Sequence, residues 1–293
     1  MRGTERAELA VDCRNTHGEG IVWSAAHGLV LWTDIHGRRL WTLDPASGQA
    51  QSYALPERLC CFAPRRDRPW NEILAAFADG FALFDVLTGA RQDIAAFEPE
   101  LSTTRLNDGR TDPAGRFVAG GMDEGDPMSP VSSVMLVERD LTVRRLFGGV
   151  ACANSICFSP DGGRLYFADS PTGAIEVFDY DATAGSADNR RTLAATKGIP
   201  DGSCTDAEGF VWNAVWEGYR VERYAPDGRL DRVVELPVAK PTCCDFGGPD
   251  GRTLYITTSR LGTGEDQLSR EPLSGALFAY RADVAGVPAV PFG

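Results

Sequence analysis

The chain has 293 residues, enough to bury a substantial core without disulfides or structural metals. Its 43% hydrophobic and 24% charged content is that of an ordinary globular protein, and 32 Gly with 18 Pro make it rich in turns without the composition of a disordered chain. The formal charge of −12 argues against nucleic acid, which demands a basic face, and against an anionic membrane surface. No apolar run is long enough to span a bilayer, and the charged N-terminus lacks the apolar stretch of a signal peptide, so a cytoplasmic protein is expected. The eight cysteines include the adjacent pairs Cys60-Cys61 and Cys243-Cys244 and form no CxxC, which fits buried free thiols in a reducing compartment.

One pattern recurs along the chain: a turn, then a short run of β-branched and aromatic residues. It begins at Gly28-Leu-Val-Leu-Trp and returns more weakly at Asn71-Glu-Ile-Leu. It follows as Gly115-Arg-Phe-Val after Asp112-Pro-Ala, and as Gly163-Arg-Leu-Tyr after Ser159-Pro-Asp-Gly. Gly209-Phe-Val-Trp after Asp206-Ala-Glu and Gly251-Arg-Thr-Leu-Tyr complete the series. Further strand-like runs at 40–43, 175–180 and 221–224 are bounded by turns such as Asp44-Pro-Ala-Ser-Gly. No apolar stripe of helical period and length is present. Six near-even repeats of ~40–50 residues predict an all-β fold, a six-bladed β-propeller with four-stranded antiparallel blades, as one domain over residues 1–293.

In a propeller the innermost strands surround a central channel, so equivalent registers converge there. Counting back eight or nine residues from each repeat marker reaches Glu19, Asn107, Asn154 and Asp201. The weak second repeat gives Phe62 or Ala63, and the sixth gives Thr242 or Cys243. Two carboxylates and two amides meeting in one pocket suit an oxygen-preferring divalent cation. The three histidines, His17, His27 and His36, form no zinc spacing. No Gly-x-Ser-x-Gly elbow exists, so Ser155 and Ser203 read as strand or turn residues. The tryptophans read as blade packing, with one near the channel mouth available to stack on a bound ring.

These residues also carry a family resemblance. His17-Gly-Glu-Gly-Ile-Val-Trp, Arg105-Leu-Asn-Asp-Gly-Arg, Asn154-Ser-Ile-Cys-Phe-Ser-Pro-Asp-Gly, Ile199-Pro-Asp-Gly-Ser and Cys243-Cys-Asp-Phe-Gly-Gly-Pro resemble the senescence-marker-protein/gluconolactonase/regucalcin-like sugar lactonases. The resemblance implies one divalent metal ion (Ca, Mg, Mn, Zn or Fe(II)) on Glu19, Asn154 and Asp201. It implies that Arg105 and Asn107 hold the oxygens of a small-molecule sugar lactone, and Glu124 is the nearest match to a further substrate-binding glutamate. Metal-dependent hydrolysis of an aldonolactone is then expected, with the metal as Lewis acid and Asp201, or Glu19, as general base. The rival readings are a non-catalytic propeller that binds a metal or a protein, and a hydrolase of another ester.

Overall fold

The computed structural model describes residues 5–293. Six antiparallel sheets are arranged around one axis. The first blade runs outward as Gly18–Ser24, Leu29–Asp34, Arg39–Asp44 and Gln49–Ala54. The next four begin on the axis with Leu59–Pro64, Thr104–Thr111, Ala153–Phe158 and Ile199–Thr205. The sixth begins with Pro241–Gly247 and takes its outermost strand, Glu8–Val11, from the other end of the chain. That exchange ties the first described residues to the last blade. The short strand Glu5–Arg6 adds a parallel edge to the fifth blade. Innermost strands of neighbouring blades pack side by side, and the sixth packs on the first, so the ring is closed. This is the six-bladed propeller expected from the repeat.

Axial strands are buried almost throughout, and outermost strands are mostly exposed. The core therefore lies between blades, in apolar layers such as Leu31, Leu59, Phe62, Ile73 and Phe77 between the first and second. Trp32 and Trp212 are fully buried, and Trp32 stacks on Trp41 with centroids 5.6 Å apart. All eight cysteines are unbridged and seven are buried. No helix among the described residues is long and apolar enough to cross a membrane.

The repeated turns explain the repeated sequence. The Asp112 and Asp206 carboxylates each accept backbone N–H groups from their own turn, from Ala114 and Arg116 at 2.9 and 2.8 Å and from Glu208 and Phe210 at 3.0 and 3.1 Å. The chain reverses through Gly115 and Gly209, both at φ +82°, a left-handed conformation that glycine adopts without a Cβ clash. Asp206 also accepts hydrogen bonds from Trp212 Nε1 and Arg223 Nε, both at 2.8 Å. Removing this fully buried carboxylate leaves a buried guanidinium and an indole N–H short of a partner. Asp206→Ala should cost about 3–5 kcal/mol in urea unfolding, against less than about 1 kcal/mol for Asp227→Ala, which serves only an exposed turn.

Candidate active site

Each of the six innermost strands carries one extra residue relative to its partner strand. The ladder skips between Glu19 and Val22, Leu59 and Cys61, Leu106 and Gly109, Asn154 and Cys157, Pro200 and Ser203, and Pro241 and Cys244. Such bulges kink a strand and re-aim its side chains. Glu19 and Asn154 are the last paired residues before their bulges, whereas Asn107 and Asp201 lie just inside theirs. That offset is why the count along the sequence came to eight for one pair and nine for the other. In the second blade the expectation of Phe62 or Ala63 is corrected: the equivalent bulge residue is Cys60. The turn between Pro64 and Glu72 is longer than its counterparts and shifts the count. In the sixth blade Thr242 and Cys243 both lie in the bulge.

The bulges open onto a cavity of about 370 Å³ at one end of the channel. Glu19, Arg105, Asn107, Asn154 and Asp201 all line it and are all buried. Its other wall is apolar, with Met122, Met128, Ile199, Trp216 and Leu261. The opposite end is crossed by the C-terminal segment, where Val287 N–H bonds Thr205 O at 3.0 Å and Phe292 N–H bonds Pro64 O at 2.8 Å.

A chain of hydrogen bonds joins the polar residues across three blades. Arg105 Nη1 donates to Asn107 Oδ1 at 2.8 Å, Asn107 Nδ2 to Asn154 Oδ1 at 3.2 Å, and Asn154 Nδ2 to Ser170 Oγ at 2.8 Å. Ser170 Oγ donates to Pro200 O at 2.6 Å. Arg105 also donates through Nε to Glu124 Oε1 at 2.8 Å and through Nη1 to Leu106 O at 2.8 Å. Among the described residues no protein acceptor takes its Nη2. Beneath the cavity, Ser155 Oγ and Asn213 Nδ2 hold Asp201 O at 2.6 and 3.0 Å.

The carboxylates are held at odds with their solvation. Burial, with the neighbouring Asp108 charge second, pushes Glu19 up to about 8. Burial, then Glu19 and Asp108, raise Asp201 well above the usual carboxylate range. Among the described residues Glu19 accepts one hydrogen bond, from Gly20 N–H at 3.1 Å. Among the described residues no three His, Cys, Asp or Glu side chains form a metal cluster. A cation here would instead draw on two carboxylates and an amide. The pieces fit that use: both carboxylates face a shared cavity, and Asn154 Oδ1, bonded to Asn107, keeps a second lone pair. Two negative charges forced together in low dielectric are the feature a divalent ion relieves.

Glu124 stands apart from the cavity floor. It bridges Arg105 and Arg58, the latter at 2.7 and 3.0 Å. Burial opposes its ionisation, yet the two guanidinium groups outweigh burial and keep it below the usual range. Ser170, Asp108, Arg58 and His17 were not singled out from the sequence. Only His17 carried a signal, since it lies two residues before Glu19 and so on the same face of an extended strand. Trp216 is the tryptophan at the mouth.

Comparison with known proteins agrees with this architecture. The family described as SMP-30/Gluconolactonase/LRE-like region matches residues 17–260. The chain is 41% identical over 292 residues to L-arabinolactonase of Azospirillum brasilense, covering 98% of this chain and 95% of that protein. It is 35% identical over 272 residues to 6-deoxy-6-sulfogluconolactonase of Pseudomonas putida, covering 92% of each. The solved structure of the calcium-binding protein regucalcin from Agrobacterium tumefaciens superposes with a TM-score of 0.90 at 31% identity, covering 99% of this chain and 98% of that one. The chain belongs to the SMP-30/gluconolactonase/LRE-like family of six-bladed propellers.

The raised carboxyl groups make stability depend on pH. An unfolded glutamate releases its proton near 4.5 and folded Glu19 near 8, so between these values the folded state binds more protons. Protein stripped of divalent ions should therefore lose stability as pH rises from ~5 to ~8, on the order of 1 kcal/mol per pH unit from Glu19, with Asp201 acting in the same direction. Urea unfolding across that range checks the sign, and Glu19→Gln should flatten the slope.

Proposed function

We propose that this protein is a lactonase that hydrolyses an aldonolactone of a five- or six-carbon sugar, with one divalent ion held by Glu19, Asn154 and Asp201. The observation that carries the reading is the meeting of two buried carboxylates with an arginine in one cavity of substrate size. The lactonases among its relatives support the reaction class, and the calcium-binding relative supports a divalent ion. When bound, that ion supplies Lewis acidity and offsets the paired negative charges.

The protein's own groups do the remaining work. Arg105, pinned by Glu124 and Asn107, keeps Nη2 for an oxygen of the lactone. Asn107 holds both Arg105 and Asn154 in register, so the substrate-binding and ligand sides move together. Positioning of this kind makes the attack effectively unimolecular. A carboxylate oxygen of Asp201 takes a proton from the attacking water as its oxygen bonds the acyl carbon. The bond from acyl carbon to ring oxygen then breaks, and the proton passes to that oxygen to leave the hydroxy acid. Glu19 is the second candidate for the base. Met122, Met128, Ile199 and Leu261 limit bulk water around the ring.

The test is proton release on adding fresh arabinono-, xylono-, galactono- and gluconolactones, after chelation and after return of Mg, Mn, Ca, Zn or Fe(II). Hydrolysis above the spontaneous rate, lost on chelation and restored by one ion, is expected. Asp201→Asn should lower kcat by about 10²–10⁴-fold with the fold intact. Near-normal turnover by that variant removes Asp201 from the role of base. Arg105→Lys should lower kcat/KM by at least ~10-fold, because a single ammonium nitrogen cannot span the positions that Nε, Nη1 and Nη2 of the planar guanidinium reach.

A further inference from the structure

His17 lines the cavity two residues before Glu19 on the same strand face, ahead of the bulge that would break the alternation. Its backbone is fixed on both sides: its N–H bonds Asp34 Oδ1 at 2.9 Å, and its carbonyl accepts Ile35 N–H at 3.0 Å. The ring stands edge-on to Trp216, centroids 5.7 Å apart, so it is held in orientation as well as place.

The hydrogen bonds assign its tautomer. Nδ1 lies 2.9 Å from Ser259 Oγ. A serine hydroxyl has one proton, and that of Ser259 goes to Thr16 O at 3.0 Å. Ser259 Oγ already accepts Leu261 N–H at 3.0 Å, which leaves one lone pair for His17. Nδ1 must therefore carry the proton and donate. The neutral ring then keeps a bare lone pair on Nε2, and among the described residues no protein group hydrogen-bonds it. Backbone, serine and tryptophan thus present a fixed acceptor at the cavity, beside the carboxylates.

We propose that His17 Nε2 accepts a hydrogen bond from a substrate hydroxyl, which makes His17 a specificity-determining residue. It selects a ring that offers a hydroxyl donor at that point and disfavours one that offers a carboxylate, sulfonate or phosphate. The inference deepens the lactonase reading and rests on it for the nature of the substrate. It does not require His17 to change charge.

Two measurements test it on the metal-loaded, full-length protein. The first is the ratio of kcat/KM for arabinono-1,4-lactone to that for γ-butyrolactone, which has the same ring without hydroxyls. His17→Phe should lower that ratio about tenfold, chiefly through KM, and His17→Gln should recover part of it through its amide oxygen. The second is calorimetric binding of 1,4-anhydroarabinitol, an inert polyol ring, which should weaken about tenfold in His17→Phe. An unchanged ratio, an equal loss on both lactones, or no difference in polyol binding overturns the proposal. Failure of the wild-type protein to open any lactone would sink the lactonase reading alone, and polyol binding would still decide the role of His17.

Discussion

The structure depends on keeping carboxylates buried at the axis of the ring. Burial raises the proton affinity of Glu19, Asp108 and Asp201; the Asp108 charge adds to it at Glu19, and Glu19 and Asp108 add to it at Asp201. The two ends of the channel answer this charge differently. Toward the C-terminal segment, Asp108 accepts N–H groups from Gly109 and Ile156 at 2.8 and 2.9 Å, and Arg110 approaches Asp245 to 3.4 Å. Asp245 takes a further N–H from Trp23 at 2.9 Å. That half is largely satisfied by the protein itself. Toward the cavity, neither Glu19 nor Asp201 forms an ion pair among the described residues, and Arg105 only partly offsets the rise at Glu19. The imbalance distinguishes the end with the candidate site from the end crossed by the C-terminal segment.

Holding such a site open needs a scaffold that does not collapse around it. The closed ring supplies this, because every blade is wedged between two others and its apolar faces are spent on neighbours. The six bulges are where that scaffold yields. Each adds a residue at the same height, and the backbone accommodates it with Gly20 at φ +54° and Ser155 at φ +57°. Ser155 is not a glycine, so its conformation carries a cost of order 1–3 kcal/mol. Its hydroxyl recovers some of that by bonding Asp201 O and by sitting within reach of Ser203 and Asn213, each 3.0 Å away. The two serines that resembled neither nucleophile nor ligand in the sequence are thus part of the mount for Asp201.

The repeat was legible because turn chemistry is local. An Asp that caps its own turn and a Gly at positive φ leave a signature every blade. The convergence of Glu19, Asn107, Asn154 and Asp201 followed from that repeat, since equal register means equal height in a ring. What did not show was anything that depends on contact between blades. The second blade was misplaced by a longer turn, so Cys60 was missed beside Arg105, its Sγ 3.7 Å from Nη1. Ser170 and Arg58 act through partners far away in sequence, and no spacing announces them. His17 was set aside because histidines were weighed only as zinc ligands, whereas its proposed role rests on a serine in the last blade.

The hydrogen-bond chain from Arg105 to Pro200 also has a direction, and the arginine sets it. A guanidinium can only donate, so the Asn107 atom facing Arg105 Nη1 must be its oxygen. Its Nδ2 must then face Asn154, and the atom that meets it must be Oδ1. Asn154 Nδ2 is left to face Ser170 Oγ, whose proton has only Pro200 O to go to. Turning either amide over would set donor against donor or acceptor against acceptor inside a buried site. The orientation of Asn154, the neutral member of the candidate ligand set, is thus dictated by Arg105, the residue proposed to meet the substrate. In the proposed reading substrate binding and ligand geometry are therefore two ends of one polar chain, carried by Arg105 and Asn107 on one blade and Asn154 on the next.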